Sequence, residues 1–161
     1  MKLILTVFSV LMINSVSHIA QAQVWRQYEW EYFNIKFELP DHFTVTINTA
    51  EALKASGEGI EFALYPFKDT EMKGMDLAEF IIRKAENDLN LSEINEMELV
   101  EIDGLNGGFV AGSKDGLLYM VLGLIDAETD NNFYAFVAFD AEQKEVIEDA
   151  LEVFESFGKM Q

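Results

Sequence analysis

Residues 117–139 read LLYMVLGLIDAETDNNFYAFVAF, and the distribution of their apolar side chains decides the fold class. Successive side chains of a strand point to opposite faces of its sheet. Between 117 and 125, Leu118, Met120, Leu122 and Leu124 fall on one face, and Leu117, Tyr119, Val121 and Ile125 fall on the other. The run from Phe133 to Phe139 is two-sided in the same way. A strand that is apolar on both faces needs cover on both sides, so 117–125 and 132–139 are predicted as interior strands with material packed above and below.

Working outward, strands are predicted at about 97–103 and 107–113. Lys114-Asp115-Gly116 then forms a tight hairpin, because Asp-Gly accepts the positive φ angles that such turns need. Downstream, Asp140 reads as a helix cap with Gln143 completing a capping box. Val146, Ile147, Ala150, Leu151, Phe154 and Phe157 form the apolar stripe of that helix before Gly158. The opposite cover is predicted at about 76–90, where Asp76 caps, Glu79 completes a box, and Leu77, Phe80, Ile81, Ala85 and Leu89 share one face. Nearer the start, Phe33, Ile35, Phe37 and Leu39 alternate with Asn34, Lys36 and Glu38 as a strand ended by Pro40-Asp41. A second strand runs over 43–47 and a third over 60–67, ending near Pro66, while Thr49 to Ser56 reads as a short helix stopped at Gly57. The expected class is α+β, an antiparallel sheet of six to seven strands sandwiched between helices.

Taken together, several of these segments resemble the PsbP/Mog/DcrB-like proteins. They are the aromatic-rich start leading into Phe33-Asn34-Ile35-Lys36-Phe37-Glu38-Leu39-Pro40, the helix after the third strand, and Glu101-Ile102-Asp103-Gly104 before an Ala/Gly-containing strand. Phe133 to Phe139 followed by a helix ending Phe154-Glu155-Ser156-Phe157 completes the set. The resemblance covers most of the chain after residue 22 and implies an α-β-α sandwich. Members range from photosystem accessory subunits to nuclear-transport cofactors and bacterial envelope proteins, so it implies a fold and not one role. No residue here matches a binding motif of any of those branches.

The first 22 residues carry a different message. Lys2, an apolar run from Leu3 to Ile13, and small residues at Ala20-Gln21-Ala22 have the layout of a secretory leader, with Gln23 as the first residue after cleavage. Asn14, Ser15 and Ser17 interrupt the run before it is long enough to span a bilayer. The expected location is therefore the periplasm or the cell exterior, with 23–161 as a single α+β domain and no membrane insertion after cleavage.

Thirteen phenylalanines and an apolar half exclude a disordered acidic tail. The formal net charge is −18, and removing Lys2 with the leader makes the remainder more acidic still. Such a field repels nucleic acid and anionic headgroups and keeps a protein dispersed. There is no cysteine, which excludes disulfides, thiol chemistry and a lipid anchor on a cleavage-site cysteine. Asn90-Leu91-Ser92 matches a glycosylation sequon, which matters only in a eukaryotic secretory pathway.

His42 is the one histidine outside the leader, and its place beside Pro40-Asp41 reads as a turn position satisfied by backbone or solvent, since a lone histidine makes no zinc site. Nucleophile-elbow, zinc-protease, P-loop and dinucleotide fingerprints are absent. Asn106-Gly107-Gly108 opens a strand and not a helix, so it does not read as a phosphate cradle. Two clusters remain. Asp126, Glu128, Asp130 and Asn132 alternate oxygen ligands as a calcium loop begins, but Asn131 and Val137 stand where that loop needs its glycine and glutamate. Trp25, Tyr28, Trp30 and Tyr32 are either a first strand packed on the sheet or an exposed aromatic edge that meets a protein partner. The expected function is an exported, non-enzymatic binding or accessory module that acts through protein contacts and carries no cofactor. The alternatives are a small-ligand or calcium binder using the 126–132 loop, and an enzyme whose carboxylates meet only in three dimensions.

Overall fold

A computed structural model describes residues 23–68, 71, 76–102, 104–143 and 146–160. The expected leader, 1–22, lies outside the described residues.

The chain runs through β1 (Trp25–Trp30), β2 (Ile35–Pro40), β3 (Thr44–Asn48), β4 (Leu53–Gly57), β5 (Ile60–Phe67) and α1 (Leu77–Arg83). It continues through β6 (Glu98–Ile102), β7 (Leu105–Lys114), β8 (Leu117–Ile125), β9 (Asn132–Asp140), α2 (Val146–Glu155) and β10 (Gly158–Lys159). Seven strands form one antiparallel sheet in the order β3-β4-β5-β9-β8-β7-β6, and β1-β2-β10 form a second, smaller sheet. The α+β class follows, and β8 and β9 are interior strands as their two-sided sequences require.

Each face of β8 meets its own core. Met120, Leu122 and Leu124 cluster with Phe133, Val137 and Phe139, with Val146, Ala150, Val153 and Phe154 of α2, and with Trp30, Ile35, Phe37 and Leu39 of the small sheet. Val121 instead clusters with Val110, Phe67 and with Phe80, Ile81 and Ala85. The cover on the first side therefore differs from the helix alone that the sequence suggested. The small sheet shares that side with α2, because the alternating Ile35, Phe37 and Leu39 bury one face of β2 there.

Asp76 caps α1 as expected, its Oδ1 accepting from the Glu79 N–H at 2.8 Å. The α-helix stops at Arg83, and Lys84–Asp88 form a turn of π-helix in which the Leu89 N–H donates to the Lys84 carbonyl. α1 lies on β7 and β8. A helix about 10 Å across spans about two strands spaced ~4.8 Å apart, and beyond those strands α1 touches β5 through Phe80, whose ring stacks on that of Phe67 with centres 4.2 Å apart. Gly123 of β8 admits the helix closely: a Cβ there would lie 2.5 Å from Ile81 Cδ1 and 2.9 Å from Leu77 Cδ1.

Two predicted elements are corrected. Residues 53–57 are a strand and not the end of a 49–56 helix, since Leu53 and Ala55 are buried while Lys54 and Ser56 point the other way. Thr49 shapes the turn before it by accepting from the N–H groups of Glu51 and Ala52. Asp140 ends β9 and caps a turn, accepting from the Glu142 N–H at 2.9 Å, and the described helix begins only at Val146. Asp115 and Gly116 take φ values of 52° and 84° between the paired Lys114 and Leu117, as the Asp-Gly reading required.

Candidate functional site

The N-terminal aromatic cluster is mostly structural. Trp30 is fully buried, its Nε1 donates to the Thr49 carbonyl at 2.9 Å, and its ring meets Phe33 at 4.5 Å and Phe133 at 6.0 Å. Tyr28 stacks on Phe37 and donates its hydroxyl to the Phe43 carbonyl, and Trp25 is half-buried against the same core. Only Tyr32 is open, at 60% exposure, because β1 ends at Trp30 and Tyr32 falls in the following turn. An edge of four rings available to a partner is therefore not what the chain presents; Trp30 faces inward because it pairs with Ile35 across from the core.

The acidic loop also differs from a calcium shell. Lys159 reaches it from β10 and places its Nζ 2.6 Å from Asp126 Oδ1 and 2.8 Å from Glu128 Oε2. Asp126 accepts in addition from Thr129 Oγ1 and the Glu128 N–H. Asp130 and Asn132 turn away and line an open cleft of about 680 Å³ with Asn131, Phe33, Pro66 and Glu71. No three His, Asp or Glu side chains converge as a metal set among the described residues. Burial alone would raise the Asp126 carboxyl, but the hydrogen bonds from Lys159, Thr129 and the Glu128 N–H outweigh it and hold it below the usual carboxylate value. A depressed folded-state pKa adds stability that is present above the unfolded value and lost as pH falls through the folded one. Asp126→Asn is thus expected to flatten the acid limb of stability against pH below about 4, while the native protein loses stability steeply there. A melting series down that limb checks it; parallel curves would contradict the assignment.

His42 is half-buried beside Phe43, and its Nε2 is buried without a hydrogen-bond partner among the described residues.

A surface the sequence reading did not single out lies on the same face beside α1, across β5, β9 and β8. The register aligns Tyr65 with Tyr134, Ala63 with Phe136, and Glu61 with Ala138, and β8 adds Tyr119 opposite Ala138. Tyr65 stacks on Tyr134 with ring centres 5.0 Å apart, and Phe136 lies 6.4 Å from Tyr65 and 5.8 Å from Tyr119. All four rings are half-buried. Lys54 stands over Tyr65 at 5.6 Å, and Lys84 stands over Tyr134 at 5.2 Å while pairing with Asp88 and Glu71. A shallow groove of about 200 Å³ crosses Ala63 between Lys54, Glu61 and Phe136. Burial, then the neighbouring Tyr65, Asp88 and Glu71, push the Tyr134 hydroxyl up to about 12, and burial with Glu61 and Asp115 raises that of Tyr119. Both therefore stay neutral donors near neutral pH. The signal in the sequence is the two-sided apolarity of 132–139, which a covering helix alone does not account for.

No protein-family model matches the sequence, and no curated protein matches it significantly. Solved structures do match. The Ran-binding protein Mog1p of Saccharomyces cerevisiae is 10% identical, with a TM-score of 0.62 over 87% of this chain and 97% of its own. A Bacteroides thetaiotaomicron protein is 13% identical, with a TM-score of 0.53 over 84% of this chain and 48% of its own. The cyanobacterial PsbP (CyanoP) of Synechocystis is 11% identical, with a TM-score of 0.50 over 91% of this chain and 98% of its own. At these identities the likeness is one of fold, and the fold is the PsbP/Mog-like one. Among the described residues no helix is long and apolar enough to cross a membrane.

Proposed function

From a chain with the PsbP/Mog-like fold, we propose an exported, non-enzymatic accessory module of one domain that works by binding another protein. The observation that carries the reading is the half-covered aromatic face of Tyr65, Tyr134, Phe136 and Tyr119, flanked by Lys54 and Lys84. Rings held by strands, each with an apolar body and in three cases a polar tip, lose little freedom on contact and are favoured as interface anchors. The neighbour described as Ran-binding lends the same fold a protein-contact precedent. The strong negative charge argues against nucleic acid. The helix–sheet–helix layering belongs to this reading too, supported by the separate cores of α1 and α2.

Capture from the cell envelope with the native protein and with Tyr65→Ala tests it. Truncating an anchor of this kind costs about 2 kcal/mol or more, an affinity loss of about 30-fold. A partner retained equally by a folded Tyr65→Ala protein removes the face from the proposal. Export is tested separately, by whether the envelope-associated protein begins at Gln23.

A further inference from the structure

We infer that the free edge of β6 is a docking strand for an extended, basic segment of another protein, one that alternates lysine or arginine with branched apolar residues. The observation is independent of the aromatic face. β6 is an outer strand of the seven-stranded sheet and, among the described residues, pairs with β7 alone. Alternate residues of an outer antiparallel strand point their N–H and C=O groups away from the sheet, which makes a template for a further strand.

The two outer strands are treated differently by the sequence. At the other end, the pairing of β3 shifts register between Val45 and Ile47, which interrupts that edge. β6 pairs with β7 without a break from Glu98–Phe109 to Ile102–Leu105, and it contains neither proline nor lysine. Its Leu99 is 81% exposed, against 39% for Ile47 on β3. The exposure follows from the register. Leu99 lies opposite Gly108, which has no side chain for it to pack on, and Met97 takes the space above that glycine.

Charge selects the occupant. Glu96 and Glu98 precede Leu99 and are exposed. α2, which packs against β6, contributes exposed Glu148, Glu152 and Glu155 and has no lysine or arginine over Val146–Glu155. A second copy of the same acidic edge would set like charges across from one another, which destabilises a strand pair. A basic strand reverses that sign: a lysine opposite Glu98 and an apolar side chain opposite Leu99 satisfy both positions at once. Backbone pairing supplies affinity, and the adjacent Glu98 and Leu99 supply register.

The probe is a short, end-blocked peptide of alternating lysine and valine, titrated onto the whole protein, with a lysine–proline peptide of equal charge as comparison. The expected result is binding of the lysine–valine peptide with slowed hydrogen exchange along β6. Leu99→Lys should weaken it by about tenfold or more, through like charge at the contact. Ile47→Lys on the opposite edge and Tyr65→Ala on the aromatic face should leave it unchanged, so failure here is distinct from failure of the face. Equal binding of the lysine–proline peptide overturns the proposal in favour of charge alone. So does an absence of binding, or damage by Ile47→Lys. Self-association that Leu99→Lys abolishes overturns it in favour of a second copy as occupant.

Discussion

Trp30→Ala is expected to destabilise the protein by about 3–5 kcal/mol, the range for removing a fully buried large aromatic ring. Two effects add. The ring leaves a cavity between Phe33 and Phe133, and the Thr49 carbonyl, which now accepts from Nε1 at 2.9 Å, loses its donor. For a domain of this size the melting midpoint should fall by about 10 °C or more. Trp25, half-buried on the same strand, should cost about 1 kcal/mol on truncation. Chemical denaturation of the two single variants separates them, and a Trp30→Ala midpoint equal to that of the native protein would contradict the packing described. The contrast matters for any binding assay, because a double Trp25/Trp30 variant would lose a partner by unfolding and mimic loss of a contact.

Gly123→Leu carries the second large expected effect, a destabilisation of about 3 kcal/mol, with Gly123→Ala nearer 1. A Cβ at 123 falls within 2.6 Å of two Ile81 atoms and 2.9 Å of Leu77, and Ile81 is fully buried, so the side chain has nowhere to retreat. The leucine therefore lifts α1 from β7 and β8 without touching the core between the two sheets. Hydrogen exchange should then show lost protection in 77–88 before loss in β2, β9 or α2. Uniform loss across all of these would mean that the two cores unfold as one.

The strands were legible wherever one rule governed them. β2 follows period-two burial and β8 and β9 are apolar on both faces, closely enough that the observed bounds match the sequence to a residue or two, and the Asp115-Gly116 turn is fixed by its φ values. β4 was not legible because Thr49 to Ser56 is short, contains Ala and Lys, and has only Leu53 and Ala55 to mark its alternation. The start of α2 was misplaced because an aspartate that caps a turn and one that caps a helix look alike in sequence. The site was harder still. Side-chain periodicity shows that 132–139 is apolar on both faces, but not that α1 sits over β7 and β8 and meets β5 only near its end, at Phe67. The salt bridge of Lys159 to Asp126 was invisible for a related reason: it joins residues 33 apart, through a two-residue strand that no periodicity marks.

That last strand also sets the order in which the chain can finish folding. Gly158 and Lys159 pair with Lys36 and Ile35, so the small sheet is closed by its two ends of sequence, and β5 must wait for β9 across all of α1 and β6 to β8. Pairings this distant make for slow folding, because the loop is closed before its contacts form. A chain delivered amino end first displays Ile35, Phe37 and Leu39 long before α2 arrives to bury them. During synthesis those side chains must wait for the carboxyl-terminal elements before the small sheet and the core beneath it can close.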